Sequence, residues 1–217
     1  EKKPDKSFEL ELWTWNEMEV PTLQRDGRYR QDKSVTYIYD IFSKKLTEVA
    51  PFTVDLLLPS GAENLNYVLY TDESPYKMQR EWLDRLPFDI YSVNVHTGAK
   101  RLIGRSYRTA PKWSVNGKWA VMYDPIAQVW NKFDGATGKV VNISDAIGYP
   151  MFVESYDKPA PAPAYGIAGW TADGNNVFLY DAYDWWKIDL TGERQPECLT
   201  KGYGRKHGKS IRKMTSN

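Results

Sequence analysis

The sequence predicts an all-β chain, a portion of a β-propeller built of about three to four four-stranded antiparallel blades. Two observations carry this expectation. Residues 113–124 recur at 170–181, 57 positions on, with Trp, Ser or Thr, Asn or Asp, Gly, Tyr and Asp in register, and self-similarity at such a period marks a repeat architecture. Each copy is followed by the same sequel, a run at 129–138 or 184–192 that closes on Thr-Gly, then a short run at 140–143 or 197–200. Four short strands separated by turn residues make one propeller blade.

Within each copy the turn lies at Asn116-Gly117 or Asp173-Gly174, dipeptides that accept positive φ. The alternating runs 119–123 and 177–180 suit a pleated surface, so each copy is expected to open on a hairpin.

Earlier in the chain the pattern is looser. Residues 8–15, from Phe8 to Trp15, alternate apolar and polar side chains as a half-buried strand does, and 34–41 with 46–50 supply two more. The polar stretch 24–33 is expected as an exposed loop. A second unit begins near Phe52, with strands at 66–70, 88–95 and 101–103 and a turn at His96. The blades are expected at roughly 8–50, 52–104, 110–144 and 165–200.

Between the strands of the second unit sits an insertion, 72–87. Its apolar residues at 78, 82, 83 and 86 fit helical spacing over 76–86, which predicts a short amphipathic helix capping the blade or projecting toward a ligand. Between the two copies, Pro159, Pro161 and Pro163 cannot donate ladder hydrogen bonds, so this stretch is expected as loop or linker. It lengthens a repeat that usually spans roughly 40–50 residues.

Composition narrows the function classes. With 217 residues, 41% hydrophobic and 14% aromatic, the chain can bury a sizeable core, and 29 basic against 28 acidic residues leave no net field to attract nucleic acid or an anionic membrane. No apolar run approaches the roughly 20 residues of a membrane span. The single cysteine, Cys198, excludes an internal disulfide and is expected as a small core residue in a fourth strand. The chain opens at Glu1 without an initiator methionine, and a piece of a longer protein is expected.

Catalytic patterns fail one by one. No Gly-x-Ser-x-Gly elbow is present, so a hydrolase nucleophile of the α/β type is missing. The two histidines, His96 and His207, cannot by themselves furnish a three-histidine zinc site, and no His-Glu-x-x-His or Cys-x-x-Cys spacing supplements them. The glycine-rich stretch 202–210 lacks phosphate-loop spacing, because Tyr203 stands where the first glycine is required. It is expected as a loop between blades. Of Asp124, Asp134, Asp181, Asp184 and Asp189 most fall at strand ends or turns, where Asp bonds to nearby backbone N–H groups, and a paired acid and base for glycoside cleavage is the alternative use of such carboxylates. No cofactor and no metal are expected.

Aromatic residues are the remaining candidates for recognition. Tyr183, Trp185 and Trp186 are close enough in sequence to point both inward and outward, while Tyr76 and Trp82 lie in the insertion. Aromatics at strand spacing mostly fill the space between blades, and these five are the candidate ligand-binding or domain-interface positions.

The runs 111–119, 165–170, 180–189 and 199–208, with the insertion from Ser74 to Arg85 and the strand from Phe88, resemble the propeller region of the prolyl oligopeptidase family of serine peptidases, in particular its bacterial, dipeptidyl peptidase IV-like members. The likeness runs from about Phe8 to Gly208. The Trp-Ser-x-Asn-Gly-Lys element is shared by many TolB-type propellers, whereas 165–189 and the Gly-Tyr-Gly-Arg-Lys stretch are more specific. The resemblance implies a non-catalytic propeller that gates and positions peptide substrates for a C-terminal α/β-hydrolase domain of the same parent chain, in a periplasmic or otherwise exported protein. It carries over no catalytic residue, and the Glu-Glu pair used by the dipeptidyl branch has no counterpart here. The alternative is a TolB-like binding module that takes a protein or glycan through the aromatic loops near 183–186. Exposed strand edges further imply self-association.

Overall fold

A computed structural model describes residues 35–51, 54–59, 66–80, 82–83 and 85–214. The strand expected at 8–15 and the loop at 24–33 lie outside the described residues. Among the described residues fourteen strands form three four-stranded antiparallel sheets and one two-stranded sheet. The first hairpin pairs β1 (Thr36–Asp40) with β2 (Lys45–Ala50). The second blade comprises β3 (Asp55–Leu57), β4 (Tyr67–Asp72), β5 (Phe88–Asn94) and β6 (Lys100–Tyr107). The third has β7 (Lys112–Trp113), β8 (Trp119–Asp124), β9 (Val129–Asp134) and β10 (Val140–Asn142). The fourth has β11 (Ile167–Trp170), β12 (Asn176–Tyr180), β13 (Trp185–Asp189) and β14 (Glu197–Cys198). Each blade is a meander in chain order, as the propeller class requires.

The blades stack face to face. Ala120 and Met122 on β8 pack with Leu69, Ile90 and Tyr107 of the second blade, whereas Val121 and Tyr123 pack with Val177, Leu179 and Ile188 of the fourth. Because both faces of β8 are covered, its interior is buried without alternation, as in any sheet sandwiched on two sides. On β12 the alternation survives, with Val177 and Leu179 buried and Asn176, Phe178 and Tyr180 half-buried. Each fully buried aliphatic or aromatic side chain contributes roughly 1.5–3 kcal/mol.

Two local devices shape the blade. Asp124 and Asp181 close the second strand of their blades and Asp40 closes β1, and each carboxylate accepts the N–H groups two and three residues on, at 2.6–3.1 Å. Asn94 and Asp134 do the same at the end of the third strand. The recurrent Asp of the repeat is therefore a turn former. At 116–117 and 173–174 only the glycines take positive φ, 67° and 69°; Asn116 and Asp173 instead use their side chains to accept from residues 118 and 175.

One expectation is corrected and one is made more specific. The insertion forms a 3-10 helix over Ser74–Gln79 in place of an amphipathic helix over 76–86. Pro75 starts it, and the Tyr76 hydroxyl pins it by donating to Asp89 Oδ1 at 2.5 Å while accepting the Ser106 N–H at 3.0 Å. Met78 and Trp82 consequently face solvent, and only Leu86 of the four spaced apolar residues is buried. The proline-rich stretch is the tip of a closed loop: Phe152 pairs with Ala164, and Ile147 and Met151 at its base enter the core between the third and fourth blades.

Candidate functional site

The richest polar construction lies where β12 turns into β13. Asp181, 0% exposed, accepts four hydrogen bonds: the N–H groups of Tyr183 and Asp184 on one oxygen, Trp186 Nε1 and Arg205 Nη2, both at 3.0 Å, on the other. Asp184, 1% exposed, accepts from Thr200 Oγ1 at 2.6 Å and from the N–H groups of Gly204 and Arg205 at 2.9 and 3.0 Å. Burial alone would raise the Asp184 carboxyl pKa, but these donors and the Arg205 charge outweigh it and hold the group below the usual carboxylate range.

These bonds fix the stretch after β14. Residues Tyr203–His207 form a single α-helical turn, α1, where the sequence predicts a loop. Gly202 begins it in the left-handed region at φ 70°, and Gly204 approaches so closely that a Cβ would lie 2.5 Å from the Tyr183 carbonyl and 2.7 Å from that of Lys209. Only glycine fits at 204. The chain then returns over the same loop, with Ile211 N–H donating to the Tyr183 carbonyl and Trp185 Nε1 to the Ile211 carbonyl, both at 2.8 Å.

Arg205 is held between two tyrosines. Its guanidinium sits 3.9 Å from the Tyr149 ring centroid and 5.1 Å from that of Tyr183, an arrangement that a delocalised cation on aromatic faces favours. Tyr149 also tilts against Trp186, with centroids 6.0 Å apart. Together with Asp184, Cys198, Gly202 and Lys206 they line an open cleft of about 460 Å³. Its wall is aromatic and its rim cationic.

The structure brings Tyr183 and Trp186 together around Arg205. Trp185 lies on the opposite face of β13, edge-on to Tyr180 at 5.3 Å, as the period-2 alternation of a strand requires. Tyr76 is spent on Asp89 and Ser106, and Trp82, 70% exposed, lies on the insertion between β4 and β5, the loop equivalent to 181–184. Tyr149, Arg205 and Lys206 were not among the sequence candidates. Gly202 and Gly208, which bracket α1 in the left-handed region, are the local signal that could have marked it, whereas Tyr149 sits in a non-repeating connection without one.

Other candidates have structural partners. His96 Nε2 is 3.1 Å from Asn66 Oδ1 and His207 packs on Tyr203. Among the described residues no group of three or more His, Cys, Asp or Glu could hold a metal ion. Cys198 lies on the fourth strand as expected but is half-buried at the cleft, its Sγ accepting the Gly202 N–H at 3.3 Å. Among the described residues no helix is long and apolar enough to cross a membrane.

The fold and site thus define an all-β propeller segment with an aromatic, cation-rimmed cleft at one loop end. No family model matches the sequence, and no curated protein matches it. Among solved structures the chain is similar to TolB from Acinetobacter baumannii, with 15% identity and a TM-score of 0.37 over 76% of this chain. It spans 37% of that protein's chain, a likeness too distant to bear on function.

Proposed function

We propose that this chain is a non-catalytic propeller segment of a serine peptidase of the prolyl oligopeptidase type, gating and positioning peptide substrates for an α/β-hydrolase domain outside these residues. The observation that supports the reading is the use made of the Gly-Tyr-Gly-Arg-Lys stretch. The most specific part of the sequence resemblance is also the part that Asp181 and Asp184 fix against Tyr149 and Trp186 to build the cleft. Aromatic walls suit an apolar peptide side chain, and the Lys206 ammonium suits a peptide carbonyl or carboxylate. The two buried carboxylates are engaged as acceptors, so they brace the site and leave chemistry to another domain. On this reading the protein is exported.

The test compares two proteins on proline-containing peptides: the product of the full open reading frame that carries these residues, and the 217-residue chain. Cleavage by the first and binding without cleavage by the second is the expected result. A reading frame that encodes no Gly-x-Ser-x-Gly elbow with a later Asp and His would sink the peptidase role. A second reading, a TolB-like binding module for a protein or glycan, draws on the exposed Trp82 at the equivalent loop of the second blade. It predicts ligand capture that depends on Trp82.

A further inference from the structure

The sheet face that the third blade turns to the fourth carries Val121 and Tyr123 on β8, with Lys132 and Trp130 opposite them on β9. Val121, Tyr123 and Trp130 are at most 3% exposed beneath the fourth blade, and the Tyr123 and Trp130 rings lie 5.4 Å apart. The fourth blade repeats the set at the same ladder positions. Phe178 and Tyr180 on β12 stand opposite Lys187 and Trp185 on β13, with the Tyr180 and Trp185 rings 5.3 Å apart. Here all four are half-buried, and no described strand packs on them.

A second regularity concerns the cations. At each boundary between units a basic side chain reaches forward to a carbonyl in the turn between the third and fourth strands of the next blade: Lys45 to His96, Arg101 to Gly138, Lys132 to Leu190. Lys187 holds the ladder position of Lys132, yet its ammonium has no hydrogen bond or ion pair among the described residues. The connections agree as well. The Tyr123 hydroxyl donates to the Ala162 carbonyl in the segment leading to the fourth blade, and the Tyr180 hydroxyl accepts the Lys213 N–H from the segment that follows it.

We propose that the face carrying Phe178, Tyr180, Trp185 and Lys187 is an interface for a further blade of this repeat type, which in a solution of this chain alone is supplied by a second copy. Lys187 donates to a turn carbonyl of the incoming copy, continuing the interface already made three times within the chain. At the other end of the stack the first hairpin presents an aromatic face on which no described strand packs, with Tyr37 and Tyr39 48% and 55% exposed. A head-to-tail contact between the two faces buries both. The contact is through a sheet face, so it differs from pairing along a strand edge.

Sedimentation velocity of the 217-residue chain across a concentration series tests this. Concentration-dependent association is expected, weakened at least about tenfold by Lys187→Glu, which sets a carboxylate against carbonyl oxygens. Phe178→Asp should act alike, and Val140→Asp on the outer strand β10 should leave association unchanged. Circular dichroism checks that each variant folds, and Lys187→Glu, at a half-buried polar position, carries the test should Phe178→Asp fail to fold. A monomer at every concentration overturns the proposal, as does association lost in Val140→Asp and kept in Lys187→Glu.

Discussion

Asn116 and Asp173 hold the same place in two successive repeats, 57 residues apart, and are bonded to each other: Asn116 Nδ2 donates to the Asp173 carbonyl at 2.8 Å. The turn that identifies the repeat in sequence thus also clasps one blade to the next. Gly174 completes the clasp, since a Cβ there would lie 2.6 Å from Asn116 Cγ.

Substitution at this glycine separates conformational strain from crowding. Gly148 has nearly the same φ, 70° against 69°, and a methyl group there would meet nothing within 4 Å. Gly148→Ala should cost about 1–2 kcal/mol for the left-handed backbone alone. Gly174→Ala should cost about 1 kcal/mol or more beyond that, because Asn116 must move. Urea denaturation of the two variants measures the difference; equal losses would mean that the clasp yields freely.

At Gly204 the obstacles are backbone carbonyls, which cannot rotate away. Gly204→Ala should displace α1, open the cleft and lower stability by about 1–3 kcal/mol. Gly208→Ala, at φ 61° with no neighbour within 4 Å, incurs only the left-handed penalty. Quenching of tryptophan fluorescence reports the opening through Trp186, which lines the cleft.

The carboxylate of Asp184 gives a pH signature. Its folded pKa is depressed, so its contribution is present above the unfolded Asp value of about 3.9 and is lost as pH falls through the lower folded value. Asp184→Ala should lose about 2–4 kcal/mol at neutral pH, because Thr200, Gly204 and Arg205 lose their acceptor. The gap between wild type and variant should narrow on acidification below about pH 4. Thermal melts across that range measure it, and a gap independent of pH would show that Asp184 acts without its charge.

Arg205→Lys probes the cation between the tyrosines. An ammonium keeps the charge but cannot lie flat against Tyr149 and Tyr183 while reaching Asp181. A loss of about 1 kcal/mol in stability is expected, with weakened peptide binding; unchanged values in both would remove Arg205 from the site.

What was legible in the sequence was local. Asn116-Gly117 and Asp173-Gly174 declared the hairpins through turn chemistry, and the recurring Asp124 and Asp181 declared the turns that follow. The adjacency of Trp185 and Trp186 told that one must face inward, since strand side chains alternate, but not which. The insertion misled because helical spacing at 78, 82, 83 and 86 counts apolar residues without seeing Pro75 and the anchor from Tyr76 to Asp89. The cleft was illegible for another reason. Tyr149 and Arg205 stand 56 positions apart, one in a non-repeating connection before the fourth blade and the other in the helix after it, and no periodic signal in either stretch encodes that meeting.

The most direct measurement of the central claim is to titrate the 217-residue chain with labelled proline-containing peptides, following binding and cleavage in the same sample. A propeller that positions substrate without reacting with it should bind saturably, lose affinity in Tyr149→Ala or Lys206→Glu, and leave the peptide intact. Cleavage abolished by a serine-directed inhibitor, or no binding at any concentration, would contradict it.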